Sequence, residues 1–263
     1  MMLARQRVLI LGGSTEASEL AHRLADLDGY DVTVSYAGRT TTRTRTPGRV
    51  RVGGFGGAEG LADYLTAERV EVLVDATHPF AARMPHHAAR ACATAGVPRL
   101  RVWRPPWERV DGDHWYEVRD LDAAAELLGR LGAGRVFLTT GRQDLAPFAR
   151  VPDAWFLVRA IEAPPAMPLA RACVVLARGP FDADGELALM RDNEIDVLVT
   201  KNSGGSAAAA KLAAARTLAL PVVMVRRPPC PDGPRASSVE EALSWLGGLV
   251  CSEPRLAQDG ASG

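Results

Sequence analysis

The sequence is poor in the features that mark several classes of protein. Its four cysteines form no CxxC pair and have no histidine at metal-ligand spacing, which argues against a disulfide framework or a zinc site. We therefore expect no metal. Lysine and arginine together number 31, as do aspartate and glutamate, so no net charge favours nucleic acid or an anionic membrane.

Long apolar runs are also missing. The first apolar stretch, Val8 to Leu11, is shorter than a signal-peptide core, and no run approaches the ~20 residues of a membrane span. We expect a cytoplasmic protein that binds no membrane, as a monomer or small homo-oligomer. Lysine is scarce as well: among the 31 basic residues only Lys201 and Lys211 are lysine. An ammonium is a compact charge that guanidinium does not always replace, so each retained lysine is a candidate for a specific role.

Short β-rich runs alternate with Ala- and Leu-rich helical patterns along all 263 residues. Such alternation indicates parallel sheets covered by helices. The candidate strands are too many for one sheet, and a Pro-rich, aromatic stretch at 103–120 interrupts the pattern. We predict an α/β fold of two Rossmann-like parallel-sheet domains with a cleft between them, at 1–107 and 108–251, and a disordered tail at 252–263. The order of elements leaves open the exchange of a terminal strand between the halves.

A glycine turn follows the first predicted strand. Gly12 and Gly13 allow a tight turn, and Ser14 or Thr15 can cap the helix that comes next. A helix N-terminus that opens on glycines suits an anion such as a cofactor pyrophosphate, and Glu16 is assigned to the same site. The adjacent glycines depart from GxGxxG, so a plain strand-to-helix turn remains an alternative.

The second predicted strand is followed by a basic segment. Arg39 comes soon after the strand, and no acid occurs before Glu59. An arginine here suits the 2′-phosphate of NADPH, whereas NADH enzymes often place an acid for the ribose hydroxyl. Thr40 is assigned to the same site. Four further arginines are interpreted as a solvated loop, with carboxylate binding as the alternative: Arg43, Arg45, Arg49 and Arg51.

The stretch VLVDATHPFA, residues 72 to 81, turns abruptly from a buried strand to polar residues. Asp75, Thr77 and His78 stand where parallel sheets bind ligands, beyond the carboxyl end of a strand, and Pro79 fixes the turn. His78 can donate a proton or a hydrogen bond, or it is a structural histidine bonded to the backbone. Asp75 can orient His78 or cap the next helix.

Two strand ends in the second half are also polar. TKNSGG, residues 200 to 205, has the form of a phosphate or carboxylate cradle with a cation at its lip, although it lacks the Walker order. TTGRQDL, residues 139 to 145, places Thr140 and Arg142 at another strand end. Both segments predict an anion site.

Five segments together resemble the precorrin-6A reductase family of the corrin pathway, including its cobalt-precorrin branch. They occur in order over roughly the first 210 residues, and Ser14 stands where members often carry threonine: ILGGSTEASELA at 10–21, SYAGRT at 35–40, DATHPFA at 75–81, TTGRQDL at 139–145 and TKNSGG at 200–205. The resemblance implies NADPH-dependent reduction of one double bond of precorrin-6A to precorrin-6B in cobalamin biosynthesis, with hydride to C19, a proton to C18, and neither metal nor flavin.

The resemblance also implies a tetrapyrrole substrate edged with acetates and propionates. The N-terminal domain is then expected to bind NADPH, and the C-terminal domain to form the tetrapyrrole side of the cleft. The expected catalytic residues are His78, Asp75 and Lys201. The expected cofactor residues are Gly12, Gly13, Ser14, Thr15, Glu16, Arg39, Thr40 and Thr77. The expected substrate residues are Lys201, Asn202, Ser203, Gly204, Gly205, Thr140 and Arg142.

Other functions remain as alternatives. Short-chain dehydrogenases need a Tyr-x-x-x-Lys pair, and none of the four tyrosines is followed by lysine at that spacing. A cobalt-precorrin-6A reductase, another NADP-dependent Rossmann oxidoreductase and a non-catalytic nucleotide-binding module all stay open. An assay with NADPH and substrate separates catalysis from binding alone.

Overall fold

The computed structural model describes residues 5–38 and 46–252. Its strands, in chain order, are β1 (Gln6–Leu11), β2 (Tyr30–Tyr36), β3 (Arg49–Val52), β4 (Val72–Asp75), β5 (Arg99–Val102), β6 (His114–Val118), β7 (Arg135–Leu138), β8 (Trp155–Ala160), β9 (Ala172–Leu176), β10 (Val197–Lys201), β11 (Pro221–Val225) and β12 (Arg235–Ala236). The α-helices are α1 (Thr15–Ala25), α2 (Ala58–Ala67), α3 (Met84–Ala95), α4 (Leu121–Leu131), α5 (Ala183–Asp192), α6 (Ala210–Thr217) and α7 (Val239–Ser252). Short 3-10 turns occupy Ala146–Arg150 and Ser206–Ala208.

The chain divides into two compact units, each built on one six-stranded parallel sheet. The first unit holds the residues up to Arg104 and those from Pro229 onward, and the second holds Pro105–Pro228. The sheet orders are β12-β5-β4-β1-β2-β3 and β6-β11-β10-β7-β8-β9. The predicted α/β fold with two Rossmann-like parallel sheets is confirmed. Within the described ranges, no helix is both long enough and apolar enough to cross a membrane.

The first sheet is buried on both faces because alternate residues of its central strands point to opposite sides. Val8 and Ile10 of β1 pack in a cluster with α1 and α7, while Leu9 and Leu11 pack in a second cluster with α2 and α3. Helix α1 meets this core with a stripe of small and branched residues at helical spacing: Ala17, Leu20, Ala21 and Leu24.

The C-terminal segment corrects the predicted domain boundaries. The prediction placed residues 108–251 in the second domain, but β12 pairs in parallel with β5, and α7 packs on α1 in the first unit. Ala236, Val239, Ala242 and Leu246 are buried there because they complete the core beside α1 and β5. Strand β12 has only two residues, too few to show as a sequence pattern. The predicted tail begins at Ser252, which ends α7, and its remaining residues, 253–263, lie outside the described residues.

The second sheet contains a strand inside the stretch that the sequence analysis treated as irregular. Strand β6 pairs in parallel with β11 at the edge of the sheet, burying Trp115 and Val118 and leaving Tyr116 exposed. At the centre of this sheet β10 lies between β7 and β11. The segments that follow β7 and β10, which the sequence analysis singled out, therefore leave the same edge of the sheet from neighbouring strands.

Candidate active site

The glycine turn after β1 is tightly packed in the first unit. The Gly12 amide donates to the Ser35 carbonyl at 2.8 Å, and a Cβ added to Gly12 would lie 2.8 Å from Cε1 of Tyr36. Gly13 has φ +129°, a conformation that other residues rarely adopt. Glycine is therefore required at both positions for the turn to enter α1.

Ser14 joins two of the predicted site segments. Its Oγ accepts from the Ala17 amide at 3.2 Å, which caps α1, and donates to the Ala76 carbonyl at 2.8 Å. Because β1 and β4 are adjacent in the sheet, one hydroxyl fixes the start of α1 against the polar segment after β4. The N-terminus of α1 and DATHPFA thus lie side by side.

Glu16, in the first turn of α1, forms an ion pair with Arg104. Arg104 Nη1 lies 2.8 and 2.9 Å from the two carboxylate oxygens, and both side chains are largely buried. Burial, the largest single effect, would raise the pKa of Glu16, but the hydrogen bond and charge of Arg104, together with hydrogen bonds from its own backbone and from Ser14, lower the pKa overall. Arg104 is not among the residues predicted from the sequence, because it lies at the start of the irregular stretch and no motif surrounds it.

Asp75 ends β4 and is completely buried. Its Oδ2 accepts a hydrogen bond from Arg101, also buried, and its Oδ1 accepts from the Thr77 amide at 3.1 Å and the Thr77 hydroxyl at 2.7 Å. Arg101 in turn stacks over the Trp103 ring at 4.6 Å. The carboxylate is thus committed to an ion pair and to the turn that precedes His78.

The His78 ring is held by the turn in which it lies. Its Nδ1 accepts a hydrogen bond from the Phe80 amide at 3.2 Å. With Nδ1 as the acceptor, Nε2 is the nitrogen of this ring that carries a hydrogen. His78 is only partly buried. It is therefore a positioned hydrogen-bond donor through Nε2 in this geometry.

In the second unit the amide of Asn202 is committed to the chain segment that opens the unit. Its Oδ1 accepts from the Trp107 amide at 2.7 Å, and its Nδ2 donates to the Trp107 carbonyl at 3.0 Å. The Trp107 indole donates to the Gly205 carbonyl at 2.9 Å. Both ends of the Asn202 amide are thus used to clamp Trp107.

The rest of TKNSGG packs on the same segment. A Cβ on Gly204, which has φ +67°, would lie 2.0 Å from the Pro105 carbonyl oxygen. Arg227 donates to the carbonyls of Asn202 at 2.8 Å, Ser203 at 3.0 Å and Pro105 at 3.1 Å. Gly204 therefore has a packing reason that the sequence did not reveal.

The two predicted cations of the second unit each face a carboxylate of the protein. Lys201 pairs with Asp144, and Arg142 Nη2 lies 2.9 Å from Glu162 Oε2. Neighbouring Thr140 is 4% exposed, and within the described part of the chain its hydroxyl has no hydrogen-bond partner. The strand-end edge thus presents two ion pairs and a buried hydroxyl.

The remaining predictions concern the basic segment after β2 and the metal. Arg39 and Thr40, with Arg43 and Arg45, lie outside the described residues. Arg51 packs over the Phe55 ring at 3.7 Å and donates to the Gly53 carbonyl at 2.7 Å.

Across residues 5–38 and 46–252, no three His, Cys, Asp or Glu side chains lie close enough together to hold a metal ion.

Lys211, the second lysine, lies on α6 in a buried charge cluster. Its Nζ is 5.0 Å from the centroid of the Trp107 ring, and nearby Arg159 pairs with Glu186, both buried. Burial first, and the charge of Arg159 second, lower the pKa of Lys211 to about 7 against the opposing effect of Glu186. Two cations share one carboxylate, and Lys211 is the one that loses its proton more readily.

Replacing Lys211 with methionine should change how stability depends on pH. The unfolded lysine titrates near 10.5 and the folded one near 7, so between these values the unfolded chain binds more protons and stability rises with pH. The slope from this group is at most about 1.4 kcal/mol per pH unit. Below pH 7 Lys211 is protonated in both states, so the free-energy cost of burying its charge no longer changes with pH. There we expect Lys211→Met to be more stable than the parent protein.

Urea unfolding of both proteins at about pH 6, 8 and 10 measures this difference. The advantage of the variant should shrink steadily from pH 7 to 10.5. The variant also loses a cation–π contact, which lowers its free energy of unfolding by a similar amount at every pH. The pH dependence of the difference between the two proteins remains. A difference that stays constant with pH would show that Lys211 keeps its proton when folded.

The fold and the strand-end residues define a class: a two-unit, Rossmann-like α/β protein with polar groups collected at the carboxyl ends of its parallel strands. The chain belongs to the precorrin-6x reductase CbiJ/CobK family, whose model matches residues 7–247. The resemblance noted from the sequence segments is confirmed, and the chain is an oxidoreductase.

Individual relatives agree with this family. A precorrin-6A reductase from Rhodococcus erythropolis is 49% identical over 93% of this chain and 98% of its own. A cobalt-precorrin-6A reductase from Salmonella typhimurium is 30% identical over 84% of this chain and 87% of its own. A solved structure described as CobK precorrin-6A reductase is 45% identical, covers 92% of this chain and 96% of its own, and superposes with a TM-score of 0.87.

Proposed function

We propose that the chain catalyses the NADPH-dependent reduction of one double bond of precorrin-6A, giving precorrin-6B in cobalamin biosynthesis. The family match over residues 7–247 supports the reaction. The observation that carries the site is the bond from Ser14 to the Ala76 carbonyl, since it holds the glycine turn of α1 beside DATHPFA. This contact supports our assignment of an anion site and a proton-bearing side chain to these adjacent strand ends.

The first unit fits the phosphates of a dinucleotide. Gly13 has nothing within 4 Å of the position a Cβ would take, so the backbone is open to close approach at the N-terminal end of α1. Arg104 adds a cation at the first turn of that helix, where Glu16 holds it. We assign the pyrophosphate of NADPH to Gly12, Gly13, Ser14, Thr15 and Arg104, and the 2′-phosphate to Arg39 and Thr40. NADPH, when bound, supplies the hydride.

His78 is assigned the role of presenting a hydrogen bond or a proton at the reduced double bond. Its Nε2–H is fixed by the Nδ1 bond to the Phe80 amide. Asp75 is assigned a positioning role, because it is buried with Arg101 and orders Thr77. Thr77 keeps its assignment to the cofactor side of this turn.

The second unit is assigned the carboxylates of the tetrapyrrole. Arg142, Lys201 and Thr140 lie at its strand ends and offer two cations and a hydroxyl. Asn202, Ser203, Gly204 and Gly205 support this edge by packing on the segment 105–107 rather than by offering free donors. Lys201 is placed with substrate binding and not with the chemistry.

Metal-free precorrin-6A is the favoured substrate over its cobalt form. The precorrin-6A reductase relative is 49% identical, against 30% for the cobalt-precorrin-6A reductase. Side-by-side turnover of the two substrates tests this choice, and faster reduction of the cobalt form would reverse it.

The reduction itself is tested by following NADPH oxidation with precorrin-6A, with NADH in parallel. We expect strong preference for NADPH, and Arg39→Ala should lose much of it, since a charge-assisted phosphate contact is worth about 1.5 to 3 kcal/mol, or roughly ten- to hundredfold in affinity. Equal use of both cofactors by the parent protein contradicts the role of Arg39. Binding without oxidation of either cofactor contradicts the reduction.

A further inference from the structure

A cavity of about 520 Å³ opens in the second unit beside the segment that follows β7. One wall comes from that segment and the other from the loop between β8 and β9, and the lining residues are Arg142, Gln143, Leu145, Ala146, Pro165, Ala166, Met167 and Pro168. Six of these eight are apolar, and Met167 is exposed although it is large and apolar. Such a lining suits the apolar body of a ligand whose polar groups lie at its edge.

Arg142 lies at one edge of this cavity and makes both a hydrogen bond to a backbone carbonyl and an ion pair. Its Nη1 donates to the Ala163 carbonyl at 2.9 Å, which ties the loop after β8 to the segment after β7. Its Nη2 lies 2.9 Å from Glu162, and the two side chains are 25% and 16% exposed. The first contact holds the wall in place, while the second presents a carboxylate to the guanidinium at the cavity edge.

A second ion pair involves a residue of the same segment after β7. Asp144 lies between the lining residues Gln143 and Leu145, and it pairs with Lys201, whose side chain is 17% exposed. Arg142 and Lys201 therefore both already face an acid of the protein. A carboxylate from a ligand can replace the acid of the protein without leaving either cation unpaired, so the exchange avoids most of the cost of breaking a largely buried ion pair.

We propose that Glu162 and Asp144 stand in for substrate carboxylates: a carboxylate at the rim of the tetrapyrrole displaces Glu162 from Arg142, and a second displaces Asp144 from Lys201, while the apolar body of the macrocycle enters the cavity. This inference rests on the proposed function. The exchange selects for ligands that carry carboxylates, because a neutral ring leaves both ion pairs closed. No covalent bond is formed or broken in this exchange of ion pairs.

Removing the competing acid should strengthen binding, which an ordinary structural ion pair would not do. The Kd of precorrin-6A is measured by equilibrium dialysis without NADPH. We expect Glu162→Gln and Asp144→Asn each to tighten binding by about two- to fivefold, because the ligand carboxylate no longer competes with a charged acid for the cation. Arg142→Gln should weaken binding by roughly ten- to hundredfold, because a charge-assisted contact to the ligand is lost.

Two controls accompany these variants. Asp122→Asn breaks an exposed ion pair with Arg150 in the same unit and should leave the Kd unchanged. Ala166→Trp adds bulk to an exposed wall residue and should abolish tight binding while the melting temperature stays near that of the parent. Parent-like affinity of Ala166→Trp would exclude the cavity from the site.

The stand-in role is overturned if Glu162→Gln and Asp144→Asn bind precorrin-6A as the parent does, or more weakly. Because the dialysis contains no NADPH, its result is independent of reduction. Tighter binding by both variants without any turnover would keep the inference and refute the proposed reaction. Normal turnover with parent-like affinities in both variants would support the proposed reaction and refute the inference about Glu162 and Asp144.

Discussion

Replacing Asp75 with asparagine is expected to lower the free energy of unfolding by about 3 to 5 kcal/mol. The change keeps an oxygen for Thr77 but removes the negative charge that faces Arg101. Arg101 is only 1% exposed, and its Nε already has no partner within the described residues. Its charge would remain in the interior without a counter-ion, which is why the loss should be large. Urea unfolding at neutral pH measures it.

The matched control removes both charges together. Asp75→Ala combined with Arg101→Met should recover much of the lost stability, because a buried pair replaced by apolar side chains is often close to neutral. The double variant should still be impaired in turnover, since Thr77 loses the acceptor that orders the turn before His78. An Asp75→Asn protein as stable as the parent would show that the buried pair contributes nothing.

The sequence could predict the strands whose interiors are continuous apolar runs. Strands β1, β4 and β10 show such runs because parallel strands at the centre of a sheet are buried on both faces. Strand β6 gave no such signal, since an edge strand buries only part of its surface and His114, Tyr116 and Glu117 remain exposed. Strand β12 gave no signal either, because it has two residues and is defined by its pairing with β5.

The candidate site was predictable as a set of strand ends, but not as a set of partners. Sequence order gives no sign that Asn202 faces Trp107, 95 positions away, or that Gly204 is required by the Pro105 carbonyl. It likewise gives no sign that Asp75 pairs with Arg101 and not with His78. Long-range contacts decide whether a polar residue at a strand end is committed to the fold or available to a ligand.

Asp75 is occupied by Arg101 and Thr77, so we assign the chemical role in DATHPFA to His78. Reduction of a carbon–carbon double bond requires hydride on one carbon and a proton on its neighbour, and a positioned proton donor typically contributes ~10² to 10⁴ in rate. We expect His78→Ala to lower kcat by at least about tenfold, without a matching loss in the affinity for NADPH or precorrin-6A. The lower bound allows for protons delivered by water or by a substrate carboxyl.

Two conservative variants separate the chemical role of His78 from a structural one. Asparagine places a carbonyl oxygen near the position of Nδ1, where it can accept from the Phe80 amide, but it has no group at Nε2. Glutamine places an amide donor near the position of Nε2. If Nε2 supplies the proton, neither amide can replace it, so His78→Asn and His78→Gln should both lose turnover as His78→Ala does, while His78→Asn keeps a melting temperature near that of the parent. If Nε2 only donates a hydrogen bond, His78→Gln should keep more turnover than His78→Asn. A structural histidine should give the opposite order, with melting temperatures that follow turnover. Measuring kcat and melting temperature on one preparation of each protein decides the matter, and a His78→Asn enzyme with parent-like kcat would remove His78 from the reaction.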